Sequence, residues 1–518
     1  MGQRIGGLIK ILGITLLLVS LWGFLVSVSP LSFLTPNNLE NLLRRTALYG
    51  VLGVGVAFVI ISSGIDLSIG SLVCLSACLL ALFLEVSYEP MGQTEVFGAN
   101  KNESTLTIAS DHSFEIGDQI WFYKDRRNKG LFKILEFGEA SEVGGQKQVQ
   151  VKVDPAPKRD VQLEQNEKGG TVSNTFEVES LDGTNATLNS SFPALRQKDR
   201  ILMVHPKSSS REKVIVSSTD SSNYVFKNKD AKLDSSFRAV PIVRKPLMSI
   251  PVALLAVLGI VLLLGVIHGL LITKVKIRPF VVTLCGLLIY RGLSRALTND
   301  QTVGFIEYSD SLGKLGTGRL ETGIEFMPVK VAPVDAESAE SWKMAWDAAE
   351  GAQAFGIPYS FFIFLFVTVA AMIFLNLTVW GRHLQAVGRN EEAARYSGIN
   401  TSRITILAYV LCAVLTGLGG IMFAIDSNSI APSSFGNFFE LYAIAAAVLG
   451  GCSLRGGEGS ILGVVVGTAL MQTLYNSIVL LKIPDELEFT IIGAVILFGV
   501  AADELTRMLA ARFRSKES

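Results

Sequence analysis

At 518 residues, 49% of them apolar and only 18% charged, with a positive mean hydropathy, the chain is too greasy for a soluble protein of its size. Its formal net charge is zero and no block of like charges stands out, so nothing points to a nucleic-acid partner. The five cysteines (Cys74, Cys78, Cys285, Cys412, Cys452) lie in or beside apolar runs without metal or disulfide spacing. The four histidines (His112, His205, His268, His383) join no Cys or acidic cluster, so no metal site is expected.

Taken in chain order, apolar runs of about the length that crosses roughly 30 Å of hydrocarbon predict about ten transmembrane helices. They fall at 9–28, 46–62, 69–86, 251–272, 279–297, 359–379, 404–425, 440–449, 461–481 and 489–502. The first has a basic start like a signal peptide, but its apolar core is too long and no A-x-A cleavage pattern follows, so it reads as a retained span. Myristoylation is not expected, because position six is Gly rather than Ser or Thr. Basic residues near span ends favour the cytoplasmic side. With Arg4 and Lys10 inside, three further clusters agree: Lys274, Lys276 and Arg278; Arg382, Arg389, Arg395 and Arg403; and Arg507, Arg512, Arg514 and Lys516. Both ends are then cytoplasmic. Arg44 and Arg45 dissent on the outer side, and are read as an amphipathic lead-in to the second span.

Two stretches interrupt the membrane pattern. Over 88–247 the composition turns polar, with alternating runs such as TLTIA, QIWFY and QVQVKV between turn residues. This predicts an inserted, soluble, extracytoplasmic β-rich domain. Laying 105–123 over 187–204 matches Asp118 with Asp199 and Trp121 with Leu202, which suggests two repeats folded as small barrels or sandwiches. Sequons at Asn102, Asn185 and Asn189 carry little weight in a segment so rich in Ser and Asn. The second interruption, 298–358, is an outer loop with a helix expected over 336–354, which would place Trp342 and Trp346 on one face. The domain order is spans one to three over 1–87, the insert, spans four to ten over 248–505 with a polar loop at 380–403, and a tail over 506–518.

The chain contains no G-x-x-x-x-G-K-[ST], so it cannot hold ATP in a Walker loop, and no H-E-x-x-H or G-x-S-x-G. An embedded hydrolase or kinase is not expected. The spans are nearly free of charge; Asp66, Arg291, Arg295, Asp426 and Glu440 sit at their edges. A pathway for a polar, uncharged solute suits that lining better than ion-coupled transport. Asp66, in SSGIDLSIGS, reads both as a helix N-cap and, with Ser68, as part of a polar break lining a pathway; Glu440 is a third candidate. The glycine-rich GGCSLRGGEGS at 450–460 lacks the phosphate-binding Lys and reads as a tight turn with close helix approach. Gly265 with Gly269, and Gly463 with Gly467, are small-xxx-small pairs for close helix packing.

Four stretches, SGIDLSIGSLVCLSA, RPFVVTLCGLLIYRGLSRALT, GRHLQAVGRNEEAARYSGIN and ELYAIAAAVLGGCSLRGGEGSILGVVVGTALMQTLYNSIVLL, resemble in order the signatures of ribose-type permeases. Those are the membrane subunits of bacterial sugar-importing ABC transporters. The resemblance covers roughly 40–86 and 250–503. It implies that the 380–403 loop docks an ATP-binding subunit through Asn390, Glu391, Glu392, Ala393, Ala394 and Gly398. It further implies a permease in the bacterial inner membrane, working as a homodimer or beside a homologous permease, with a periplasmic solute-binding protein. No cofactor is bound by this chain, and ATP is used by the partner. The cargo is a monosaccharide or similar polar solute, moved by alternating access. Departures are the 88–247 insert, the longer outer loop, Tyr442 in place of the family's acidic residue, and Cys452 in place of its Thr. A receptor sensing ligand through the insert and an ion-coupled carrier are the alternatives.

Overall fold

The computed structural model describes residues 2–90, 94–122, 130–143, 146–157, 161–162, 171–182, 185–188, 200–204, 211–220, 223–226, 238–308, 311–331, 341–346, 352–495, 497 and 501. It divides into two units, Met1–Glu85 with Met248–Ser518, and Val86–Leu247. The helices of the first unit are α1 Gly2–Val28, α2 Pro30–Phe33, α3 Pro36–Ile61, α4 Ile69–Phe83, α5 Ile250–Thr273, α6 Pro279–Leu297, α7 Leu312–Thr317, α8 Tyr359–Leu377, α9 Val379–Arg389, α10 Glu391–Tyr396, α11 Thr401–Ser427, α12 Phe439–Leu449 and α13 Ile461–Leu480.

Seven of these, α1, α3, α5, α6, α8, α11 and α13, are long and apolar enough to cross a membrane; α4 and α12 are shorter apolar helices. The expected tenth span runs out of the described residues after 495. Burial ranks the helices: 83% of the apolar window of α3 is buried against 6% of that of α1, so α3 is the central post and α1 lies at the edge. The outward faces of α1, α5, α6 and α8 expose residues such as Leu16, Leu255, Leu288 and Phe366. Apolar patches this extensive suit lipid rather than water. Close packing of α5 on α11 depends on the paired glycines, since a Cβ at Gly265 would lie 2.9 Å from Val410 Cα and one at Gly269 would lie 2.7 Å from Ile406 Cα.

Arg44 and Arg45 lie in the first part of α3, a helical lead-in continuous with the second span that starts ten residues before its apolar run; Pro36 at its first turn and the Thr35 N-cap set that start. One expectation is corrected. The helix expected over 336–354 is absent where the structure describes it, because Ser341–Trp346 is a strand. A three-stranded antiparallel sheet joins β15 Arg319–Val331, β16 Ser341–Trp346 and β17 Gln353–Pro358, with Trp342 opposite Lys330 and Trp346 opposite Phe326. A spacing of four fits one face of a strand as well as one face of a helix, and cross-strand pairing decides.

The second unit is β throughout its described residues. Its first half contains β1 Val86–Pro90, β2 Thr94–Asn100, β3 Thr105–Ala109, β4 Gln119–Phe122, β5 Gly130–Val143, β6 Gln146–Asp154, β7 Val161–Gln162 and β8 Thr171–Asn174. In its second half are β9 Phe176–Asp182, β10 Asn185–Leu188, β11 Arg200–Val204, β12 Arg211–Asp220, β13 Asn223–Phe226 and β14 Arg238–Pro246. Strands β2-β3-β6-β5-β4-β8 pair in a ring, closed by β8 on β2. Strands β9-β10-β13-β12-β11-β14 close a second ring in the same order, with β14 on β9. Closure removes the exposed edges that open sheets must otherwise protect. In this equivalence β4 corresponds to β11, which sets Trp121 against Leu202; the two side chains share one apolar cluster with Val240 and Ile242. The incoming strand β1 pairs with the outgoing β14, Val86 opposite Pro246.

Candidate functional site

The polar segment between α8 and α11 is built by three caps. Thr378 Oγ1 accepts from Gly381 N at 3.1 Å and starts α9. Asn390, in an extended conformation, ends α9 and accepts from Ala393 N at 2.9 Å to start α10. Asn400 accepts from Arg403 N at 3.1 Å to start α11. Glu391 and Glu392 occupy the first turn of α10 and Arg395 its last, each favourable to the helix dipole. Ala394 is the one buried residue of α10, whereas Glu391, Glu392, Ala393 and Gly398 are exposed and Tyr396 projects with 86% of its surface free. Gly398, at φ +82°, makes the left-handed turn that returns the chain to α11. The result is a short, solvent-facing helix, capped at its start, whose one buried side chain is the Ala394 methyl group.

Just before it, α9 buries Leu384, Val387 and Gly388 on one face. Gly388 touches the end of α3 so closely that any Cβ would collide with the Ile61 carbonyl oxygen. Ser63, itself left-handed at φ +65°, places its Oγ 2.7 Å from Gly388 O and 3.1 Å from Arg455 O. Gly457 N donates to Ile61 O at 2.8 Å. The glycine-rich 450–460 turn, the end of α3 and the end of α9 therefore form one knot, and close approach rather than phosphate binding explains those glycines.

From the knot, residues 62–68 run without helical structure to Asp66. Asp66 is 2% exposed and accepts from Ser68 N at 2.8 Å and Ser68 Oγ at 2.7 Å. These bonds satisfy the start of α4, and a buried carboxylate needs them. At 15 and 11 residues, α4 and α12 reach about 22 Å and about 16 Å, short of a bilayer core. Their N-termini meet, because Gly70 in the first turn of α4 lies against both the Glu440 carboxylate and the Gly436 carbonyl. The three residues expected on a pathway, Asp66, Ser68 and Glu440, thus converge on one junction of two half-helices. Irregular backbone leading into such a junction must be satisfied by protein. Arg291 of α6 does this for the 428–438 stretch, donating to Pro432 O at 3.0 Å and Phe435 O at 2.6 Å.

Sequence reasoning missed the rest of this centre. His268 of α5 is buried and bonded to Tyr290 of α6, 2.7 Å between Nε2 and Oη. Gly286 sits between them and α4: a Cβ there would lie 2.9 Å from His268 Nε2 and 3.2 Å from Ser68 Cβ. Tyr409 of α11 is buried with its hydroxyl 3.4 Å from Ile65 O. The available signal was an ionisable residue inside an apolar span, which is rare without a function; a search for sequence-adjacent ligands overlooks it. Among the described residues no cluster of His, Cys, Asp and Glu could hold a metal.

A family model described as "Branched-chain amino acid transport system / permease component" matches residues 228–500. The ribose import permease protein of Escherichia coli (strain K12) is 33% identical over 254 residues, 49% of this chain and 68% of that protein. The xylose transport system permease protein of the same strain is 28% identical over 288 residues, 50% of this chain and 72% of that protein. The ribose import permease protein of Bacillus subtilis (strain 168) is 31% identical over 236 residues, 46% of this chain and 62% of that protein. No solved structure matches the chain.

Proposed function

The chain belongs to the family of ABC importer permease components, multi-pass inner-membrane transport subunits rather than enzymes, and from that membership we propose that it carries a monosaccharide inward by alternating access. ATP is hydrolysed by a separate ATP-binding subunit, and a periplasmic solute-binding protein delivers the cargo. Two permease chains, identical or homologous, enclose the pathway. The ribose and xylose named for the relatives set the substrate class.

The observation that carries the reading is the continuity between the exposed α10 and the interior junction. A partner closing on Glu391, Glu392 and Tyr396 pushes a capped helix whose neighbour, α9, is locked to the end of α3 through Gly388 and Ser63. Three residues beyond Ser63 lies Asp66, at the meeting point of α4 and α12. Elements packed without slack move as bodies, so displacement at α10 reaches the junction rather than dissipating in a loop. Aligned N-termini of half-helices offer hydrogen-bond donors to an oxygen-rich solute once the carboxylates that cap them shift.

A photo-crosslinking amino acid at position 396, in the permease co-expressed with its ATP-binding subunit, tests the docking. Crosslinks to that subunit are expected from position 396 and not from position 359, at the start of α8 and the opposite end of that helix. Crosslinking from 359 with none from 396 would reverse the assignment.

A further inference from the structure

The helical unit also holds a cavity of about 530 Å³ between the first half of α3, the end of α11, the start of α12 and the last turns of α13. That is the size of a small-molecule site. One wall is aromatic: Tyr49, Phe423 and Phe439 pack on one another with ring centroids 4.6 to 5.0 Å apart. The charged groups on the other walls are Arg44, Arg45 and Asp426, one net positive charge. Arg44 faces Asp426 at 3.5 Å, and Arg45 lies over the Tyr475 ring, 5.0 Å from its centroid. One of the two guanidinium charges is thus paired and the other is spread over an aromatic face.

Gln472 stands apart. Only 3% exposed, its side chain lines the cavity, and its amide makes no hydrogen bond to any described residue. With no partner among the described residues, its donors and acceptor are available to what occupies the cavity. An aromatic wall for a C–H face and side-chain amide and guanidinium donors for hydroxyls together match a polyhydroxylated ring.

We propose that this cavity is a binding site for a neutral monosaccharide within a single permease chain, with Gln472 as its specificity-determining residue. The proposal rests on the permease reading and deepens it. Position supports it too: the start of α12, which supplies Phe439 to the aromatic wall, also supplies Glu440 to the interior junction, so the cavity adjoins that junction. Through α11, about 40 Å long, the cavity is continuous with the coupling segment at Thr401.

The test uses full-length permease in nanodiscs, with D-ribose and D-xylose as probes, glycerol 3-phosphate as an anionic control, and saturation-transfer NMR as the readout. Wild type is expected to bind at least one sugar in preference to the control. Gln472→Leu is expected to weaken that binding about tenfold, the worth of one buried hydrogen bond. Ser427→Trp, at the exposed rim, fills the cavity without touching its buried packing and is expected to abolish binding. Thermal melting of both variants confirms that they fold. Unchanged sugar affinity in both folded variants, no sugar binding by wild type, or preference for the anion each overturns the proposal. ATP-driven uptake, measured after reconstitution with the ATP-binding subunit, judges the permease reading separately. Uptake with variant-insensitive binding removes the cavity and leaves the permease. Variant-sensitive binding without ATP-driven uptake removes the permease reading and leaves the cavity.

Discussion

The first β-barrel and the helical bundle are both well packed, but they bury different things. Among the described residues the barrel core is mainly apolar, with Val96, Leu106, Ile108, Ile120, Phe132 and Ile134 turned inward from alternating strand positions and the hydroxyls of Thr94 and Ser173 its uncharged buried polar groups. The bundle buries Asp66, Ser68, His268 and Gln472 among its aliphatic residues. Apolar burial stabilises cheaply, whereas each buried polar group must be compensated by partners, and in a bilayer there is no water to supply them. A chain that keeps such groups at the meeting point of α4 and α12 spends stability there on something other than folding.

That contrast breaks first at Asp66. Replacing it with Ala removes two charge-assisted hydrogen bonds at the start of α4 and is expected to cut sugar uptake about 100-fold, whereas Asp66→Asn keeps the acceptor and a folded bundle. Equal uptake in wild type and Asp66→Ala would remove the junction from the pathway. Next comes the barrel control. Ile108→Ala should destabilise the insert by about 2–4 kcal/mol, seen by calorimetry on the full chain, because a fully buried β3 side chain leaves a cavity. Sugar moved per ATP should stay constant in that variant below its unfolding temperature; a changed ratio would give the insert a part in the transport cycle.

A smaller effect is expected at the knot. Ser63→Ala deletes a hydroxyl worth about 1 kcal/mol, a roughly fivefold loss in transport per ATP with little change in melting. The smallest is a pH effect in the insert. His112 stacks on Phe114 and Phe137, accepts from Phe114 N at its Nδ1, and has its pKa lowered by burial, partly offset by Asp111. A folded-state pKa below the unfolded one means full stability above the unfolded value near 6.5 and loss as pH falls through it. The insert should therefore melt slightly lower at pH 5.5 than at pH 7.5, and His112→Phe should flatten that difference.

Much of this was legible in the sequence because lipid imposes length and polarity on every span. Runs such as 279–297 end where the structure ends them, at a Pro start and a charged exit. The 380–403 segment was legible as a polar block between two apolar runs, whereas its division into helices by the caps at Asn390 and Asn400 came only with the structure. Position 341–346 was not, because an Ala-rich context favours helix locally while pairing with 326–331 favours strand, and only tertiary structure arbitrates. His268, Tyr290 and Gln472 were hidden for a related reason. Tyr290 and Gln472 are unremarkable in their own spans, His268 stands out only as a lone ionisable group, and the meaning of all three comes from neighbours on other helices.

The central claim is that α10 receives force from an ATP-driven partner. The most direct measurement is labelled-ribose uptake per ATP hydrolysed, in proteoliposomes holding the permease, its ATP-binding subunit and its binding protein, for wild type and for the double variant Glu391→Arg with Glu392→Arg. Reversing both charges on the exposed first turn of α10 should abolish uptake while the bundle melts as before. An unchanged ratio of sugar to ATP in the double variant would contradict the account.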